Sequence, residues 1–221
     1  MARYKRGFEC ALASRQLARA DAAFRPWIKR IGAIDHSSGW RKGFDVTDAL
    51  ARAILYQQLS GKAAATIVSR VEAALGGSAI HHQALKTVSD DQLRACGVSG
   101  NKVLALRDLA RREAGGEIPQ SRQLQYLSND RIIELLVPTR GIGRWTVEMM
   151  LMFRLGRPDV LPVDDLGIRK GAQLLDRLDA MPGPKELLER GRAWEPNQTM
   201  ASFYLWRIAD FSKENVKRSQ D

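Results

Sequence analysis

Apolar residues recur along this chain at the three-to-four spacing of helices, and alternating strand patterns are nearly absent. A first helical segment is predicted over 9–24, with Leu12, Leu17, Ala20 and Phe24 in apolar positions. Thr47 or Asp48 can cap a second helix running through Ala49 to Leu55. A break at Leu59-Ser60-Gly61 separates it from a helix over 62–75 that stops at Gly76-Gly77. Short helices are predicted over 80–86 and 89–95, a turn over 97–100, and a longer helix over 102–113. Gly115-Gly116 and Pro119 then interrupt. Asn129 or Asp130 can cap a helix ending near Val137-Pro138, Gly141 to Gly143 form a turn, and another helix follows over 144–155. After Gly156-Arg157-Pro158 and Pro162, Asp164 opens a helix to about 178. Met181-Pro182-Gly183-Pro184 punctuates the chain before a last helix over 197–212 and a polar tail. The predicted class is all-α.

Composition adds a partner to this picture. The 221 residues carry a formal charge of +10, which favours a polyanion because nucleic acid releases counterions to basic proteins. Cys10 and Cys96 are far apart and outside any Cys-x-x-Cys pair, which argues against a thiolate metal site, an iron–sulfur cluster or a disulfide framework. No apolar run approaches a transmembrane span, and the charged N-terminus lacks a signal-like apolar region. The expectation is a monomer without cofactor, cytoplasmic and nucleoid-associated in a prokaryote or nuclear in a eukaryote.

The most specific segment is Leu136-Val137-Pro138-Thr139-Arg140-Gly141-Ile142-Gly143-Arg144-Trp145-Thr146. Glycines admit positive φ and close approach of the backbone to a ligand. Unpaired amides at the start of the following helix, at the positive end of its dipole, suit a phosphate. Ile142 can tuck between the two helices. Taken alone, a Gly-x-Gly turn is an ordinary helix connection, and Asp164-Asp165 is an ordinary pair of helix caps.

Together with Pro162-Val163-Asp164-Asp165-Leu166-Gly167-Ile168-Arg169, the hairpin resembles the helix–hairpin–helix (HhH-GPD) DNA glycosylases, and within them the 3-methyladenine DNA glycosylase II branch. Ala53-Ile54-Leu55-Tyr56-Gln57-Gln58-Leu59-Ser60-Gly61-Lys62-Ala63-Ala64 resembles that family's DNA-wedging segment, and the likeness covers about residues 44–211. It implies two helical subdomains, 47–161 with the hairpin and 1–46 plus 162–221, with a base-binding cleft between them. It assigns Asp165 as the catalytic carboxylate and Asp164 as cap or scaffold. Trp145, Trp206, Gln57 and Met149 become the base pocket, and Gln58 and Leu59 the wedge. Gly141, Ile142, Gly143, Thr146 and Lys62 become backbone contacts. The carbonyls of Val137, Thr139 and Ile142 become candidate donors to a monovalent cation, with no metal needed for the chemistry.

The implied reaction removes an alkylated purine from double-stranded DNA. Alkylation at N3 or N7 makes the base a cation that can leave neutral, so the protein need only stabilise the sugar cation and guide water. Bifunctional relatives carry a Schiff-base lysine where Trp145 stands, so strand cleavage is not expected. The alternatives are a glycosylase for oxidised or deaminated bases and a non-catalytic DNA-binding module. Two departures stand out. Arg140 replaces the proline that commonly precedes the first hairpin glycine, and Asn197-Gln198 replace an aromatic–arginine pair, which puts substrate range and DNA contacts there in question.

Overall fold

The computed structural model describes residues 3–77 and 79–218, with side chains to residue 212; the end of the expected polar tail and the first two residues lie outside them. Among the described residues the chain is helical, with no strand. The helices are α1 (Cys10–Ala20), α2 (Phe24–Ile31), α3 (Ser37–Arg41), α4 (Val46–Tyr56), α5 (Gly61–Ala74), α6 (His82–Leu85), α7 (Asp90–Ala95), α8 (Gly100–Ala114), α9 (Ser121–Leu124), α10 (Asn129–Leu136), α11 (Arg144–Phe153), α12 (Leu166–Asp176), α13 (Pro184–Gly191) and α14 (Gln198–Arg218), with a 3-10 turn at Arg192–Trp194. The all-α expectation holds.

Several helix starts sit a residue or more from their expected places, because neighbouring polar residues compete to cap. Asp45, not Thr47 or Asp48, accepts the Asp48 amide at 2.8 Å and starts α4. Ser128 rather than Asn129 or Asp130 caps α10. The segment expected as one helix over 9–24 is two, because the Asp21 carboxylate accepts the Ala23 amide at 3.0 Å and turns the chain. The last helix runs on past 212 to Arg218.

The chain divides into two compact units. One is built on Gly43–Met150 and includes Tyr4. Its core is Leu50, Ile54 and Leu55 of α4 with Leu106 and Leu109 of α8, all essentially fully buried, and Ile132 and Leu136 of α10. Arg52 ties α4 to α5 through Asp48 at 2.7 Å and Glu72 at 2.6 Å.

The other unit is built on Lys5–Lys42 and the chain from Leu151 onward. Here α14 packs against α12, α1 and α2. Residues 151–161 group with this unit because the start of α14 holds them: Thr199 Oγ1 donates to the Arg157 carbonyl at 2.6 Å and accepts the Val160 amide at 3.1 Å. Phe24 meets Trp194 edge-on at 5.5 Å. Asp21 accepts from Arg190 and, at 2.9 Å, from the Trp194 indole, while Arg190 also pairs with Asp176 at 2.8 Å. Burial alone would raise the Asp21 carboxyl, but the bonds from Trp194, Ala23 and Arg190 outweigh it and hold it below its ordinary value.

Candidate functional site

In the first unit, α10 ends at Leu136 with Val137 as its cap, and two turns carry the chain to α11. The Thr139 amide donates to the Leu136 carbonyl and the Ile142 amide to the Thr139 carbonyl, each at 3.0 Å. Gly141 sits at φ +79, a conformation a side chain rarely adopts, and a Cβ there would lie 3.2 Å from that of Ala105. Ile142 is buried between the elements it joins, whereas Gly143 and Arg144 are exposed. The hairpin thus plants its apolar residue inward and turns the start of α11 to solvent. Thr146, expected to contact the DNA backbone, is buried.

The Arg140 departure has a local reason. Its backbone amide donates to Asp108 Oδ2 at 2.9 Å, a bond that a proline could not make. Asp108 also pairs with Arg111 and Arg112 at 2.9 and 3.0 Å. Burial pushes the Asp108 carboxyl up, yet the Arg140, Arg111 and Arg112 donors together bring it below its ordinary value.

The expected wedge follows α4. Gln58 occupies the left-handed region at φ 57, and Gln58 and Leu59 are exposed. A non-glycine residue there is strained, and the strain is sustained by its neighbours. Lys102 of α8 donates from Nζ to the carbonyls of Leu55 and Gln57, both at 2.8 Å, closing the open end of α4. Burial lowers the Lys102 ammonium from its ordinary value. The Gln57 side chain donates to the Gly141 carbonyl at 2.7 Å, so it braces the hairpin. Lys62 is exposed in the first turn of α5.

Trp145 is 47% exposed in the first turn of α11, and Met149 is half-buried one turn on. The carbonyls of Val137 and Ile142 flank the same hairpin. Among the described residues the buried Thr139 hydroxyl has no hydrogen-bond partner.

In the second unit, Asp165 rather than Asp164 caps α12. Its Oδ1 accepts the Ile168 amide at 2.9 Å and the Trp206 indole N–H at 2.8 Å. Asp164 is exposed in the preceding turn. Trp206, half-buried on α14, stacks on Phe153 with centroids 6.0 Å apart and planes 17° apart, and next to Phe203. Sequence reasoning missed Lys102, Gly167 and the hydrogen bond between Trp206 and Asp165. It also left open where Asn197 and Gln198 point. Both are buried: Gln198 donates its side-chain amide to the Gly191 carbonyl at 3.1 Å and its backbone amide to Asp159 Oδ1 at 3.3 Å. The Asp159 carboxyl is raised by burial. Asn197-Gln198 therefore start α14 from inside the unit.

Among the described residues no cluster of three or more His, Cys, Asp or Glu is placed to hold a metal ion, and no helix is long and apolar enough to cross a membrane.

The chain belongs to the HhH-GPD superfamily of base excision DNA repair proteins, which it matches over residues 51–196. It is 38% identical to DNA-3-methyladenine glycosylase 1 of Schizosaccharomyces pombe over 170 residues, which is 75% of each chain. A structure of the 3-methyladenine DNA glycosylase of that yeast in complex with abasic DNA superposes with a TM-score of 0.75 at 34% identity, covering 89% of this chain and 95% of that one. DNA-3-methyladenine glycosidase from Bacillus halodurans gives 0.81 at 34% identity, covering 91% of each.

Proposed function

We propose that this chain is a DNA glycosylase that hydrolyses the N-glycosidic bond of alkylated purines such as 3-methyladenine and 7-methylguanine in double-stranded DNA, and that it leaves the strand uncut. The observation that carries the reading is Asp165, a carboxylate held at a helix start by the Ile168 amide and the Trp206 indole, in a chain with relatives named for 3-methyladenine.

The hairpin amides grip a phosphate. Gln58 and Leu59 fill the space that the lesion vacates, and Lys62 pairs with a phosphate. Trp145, Met149 and Gln57 of the first unit and Trp206 of the second are assigned to the flipped base, and an aromatic face attracts a cationic purine. As the C1′–N bond breaks, its electron pair goes to the base, which leaves neutral. The positive charge on the sugar is stabilised by ionised Asp165, and water adds at C1′ as its proton passes to the carboxylate or to solvent. Trp145 has no amine to form a Schiff base, which supports hydrolysis without strand cleavage. A monovalent cation at the hairpin would be held by the carbonyls of Val137, Thr139 and Ile142 and would add positive charge toward a phosphate. The unpartnered Thr139 hydroxyl fits such an oxygen-rich setting. The protein would work where the cell keeps its DNA.

The test is base release from methylated duplex by wild type and Asp165→Asn. Asparagine also caps helices well, so lost activity would report the charge rather than the fold. Wild type should release methylpurines and the variant should be at least ~100-fold slower. Equal release by both, or none by wild type, would defeat the reading, and nicking without alkali or heat would defeat its hydrolase-only part.

A further inference from the structure

Trp206 entered as a stacking surface for the damaged base, but its edge is already committed. Its Nε1 lies 2.8 Å from Asp165 Oδ1, the same oxygen that takes the Ile168 amide at 2.9 Å. Two donors from different directions on one oxygen fix both the position of the carboxylate and its rotation about χ2. The indole is itself fixed, because Phe153 stacks beside it and Phe203 lies next to it.

A third residue makes this meeting possible. A Cβ at position 167 would lie 2.9 Å from Trp206 Cδ1, 3.2 Å from its Nε1 and 3.1 Å from Asp165 Oδ1. Any side chain there would stand between donor and acceptor. The glycine in Asp165-Leu166-Gly167 therefore has a spatial cause rather than a conformational one.

We infer that Trp206 is a positioning residue for Asp165, acting through its indole N–H, and that Gly167 is the gap through which the two side chains meet. The inference rests on the role proposed for Asp165. It places Trp206 in the chemical step and not only in base binding. A carboxylate that must face a developing sugar cation loses rate steeply when it is misplaced, and the lesion's affinity for the pocket does not depend on that N–H.

Trp206→Phe keeps a flat ring and removes the N–H, whereas Gly167→Ala keeps the N–H and pushes it off Asp165. Single-turnover base release from methylated duplex, with affinity for the same duplex measured by fluorescence anisotropy, separates chemistry from binding. Both variants should lose roughly ten- to a hundred-fold in rate; Gly167→Ala, which keeps the indole face, should hold affinity within about twofold of wild type, whereas Trp206→Phe also exchanges that face and should bind a few-fold more weakly. Thermal melts confirm that each is folded under assay conditions. The bond itself is read without activity: the Trp206 indole N–H resonance, identified by its loss in Trp206→Phe, should move upfield in Gly167→Ala. Wild-type rate in Trp206→Phe, a rate loss matched by affinity loss in Gly167→Ala, or an unmoved indole resonance would each overturn the inference. Failure of wild type to release methylpurines would instead overturn the glycosylase reading, and the resonance test would still stand.

Discussion

Replacing Gly171 with alanine should destabilise the second unit and slow base release together. Gly171 lies in α12, where a Cβ would sit 2.1 Å from the Leu205 carbonyl oxygen and 2.6 Å from its carbon. Ordinary contact begins at 3.4 Å, so α12 and α14 would have to part by more than 1 Å at this point. The obstacle is backbone, which no rotamer change can clear. Overpacking typically costs ~1–3 kcal/mol, and rigid backbone argues for the top of that range. Separation also weakens the packing of Ile168, Ala172 and Leu175, since a gap of ~0.5–1 Å forfeits a quarter to a half of each contact. Against this, alanine gains about 1 kcal/mol of helix propensity over glycine. The balance is a loss of roughly 2 kcal/mol or more, or a Tm lower by about 4–8 °C in a protein of this size. Gly100→Ala is the control, because a Cβ there meets nothing within 4 Å, and it should leave the melt unchanged or slightly raised. Leu205 adjoins Trp206, so the same displacement should stretch the 2.8 Å bond to Asp165 and reduce single-turnover release. A Gly171→Ala protein with unchanged or raised Tm would refute the close-packing argument.

Other outcomes follow from the same contacts. Lys102→Met strips the Leu55 and Gln57 carbonyls of their donor and should cost about 1 kcal/mol, with duplex affinity falling several-fold in anisotropy titrations. Unchanged affinity would separate the wedge loop from DNA binding. Gly141→Ala forces a side chain into a left-handed position and should lower stability by ~1–2 kcal/mol in urea titrations; a neutral result would show that the turn relaxes. Asp21 and Asp108 have depressed folded values, so their contribution is present above the unfolded Asp value of ~3.9 and is lost as pH falls through the folded ones. Asp159, raised by burial, acts in the opposite sense and makes that fall shallower. Urea midpoints should therefore drop below about pH 4, more steeply in wild type than in Asp21→Asn, and flat midpoints would contradict the assignment.

The long helices were legible because their apolar positions recur over several turns, and the hairpin because glycine has a local cause there. α2, α3, α9 and α13 were not, because their apolar positions are few and they are held by distant partners. Trp40 in α3, for example, donates to the Met152 carbonyl at 2.8 Å. Lys102 reads as a solvent-facing lysine until α8 is set beside the end of α4. Gly167 and Gly171 read as weak points of a helix, whereas each is a place where another side chain or backbone comes close. Asn197 and Gln198 looked like altered surface contacts, but residue type alone does not show that a polar pair is buried at a helix start. The domain division was expected after 161, and the compact units part at Met150–Leu151 because Thr199 draws the intervening loop to α14.

On the mechanism proposed above, Asp165 has two tasks that depend on different properties of one side chain. The helix needs an acceptor oxygen, which asparagine also supplies, and the sugar needs a negative charge, which it does not. The shortest route from this protein to an inactive one would thus keep the fold and the grip on DNA. Such a chain would still search the genome and settle on lesions, where it would shield them from other repair. Cells carrying it beside the wild type should be more sensitive to methylating agents than cells that simply make less of the enzyme.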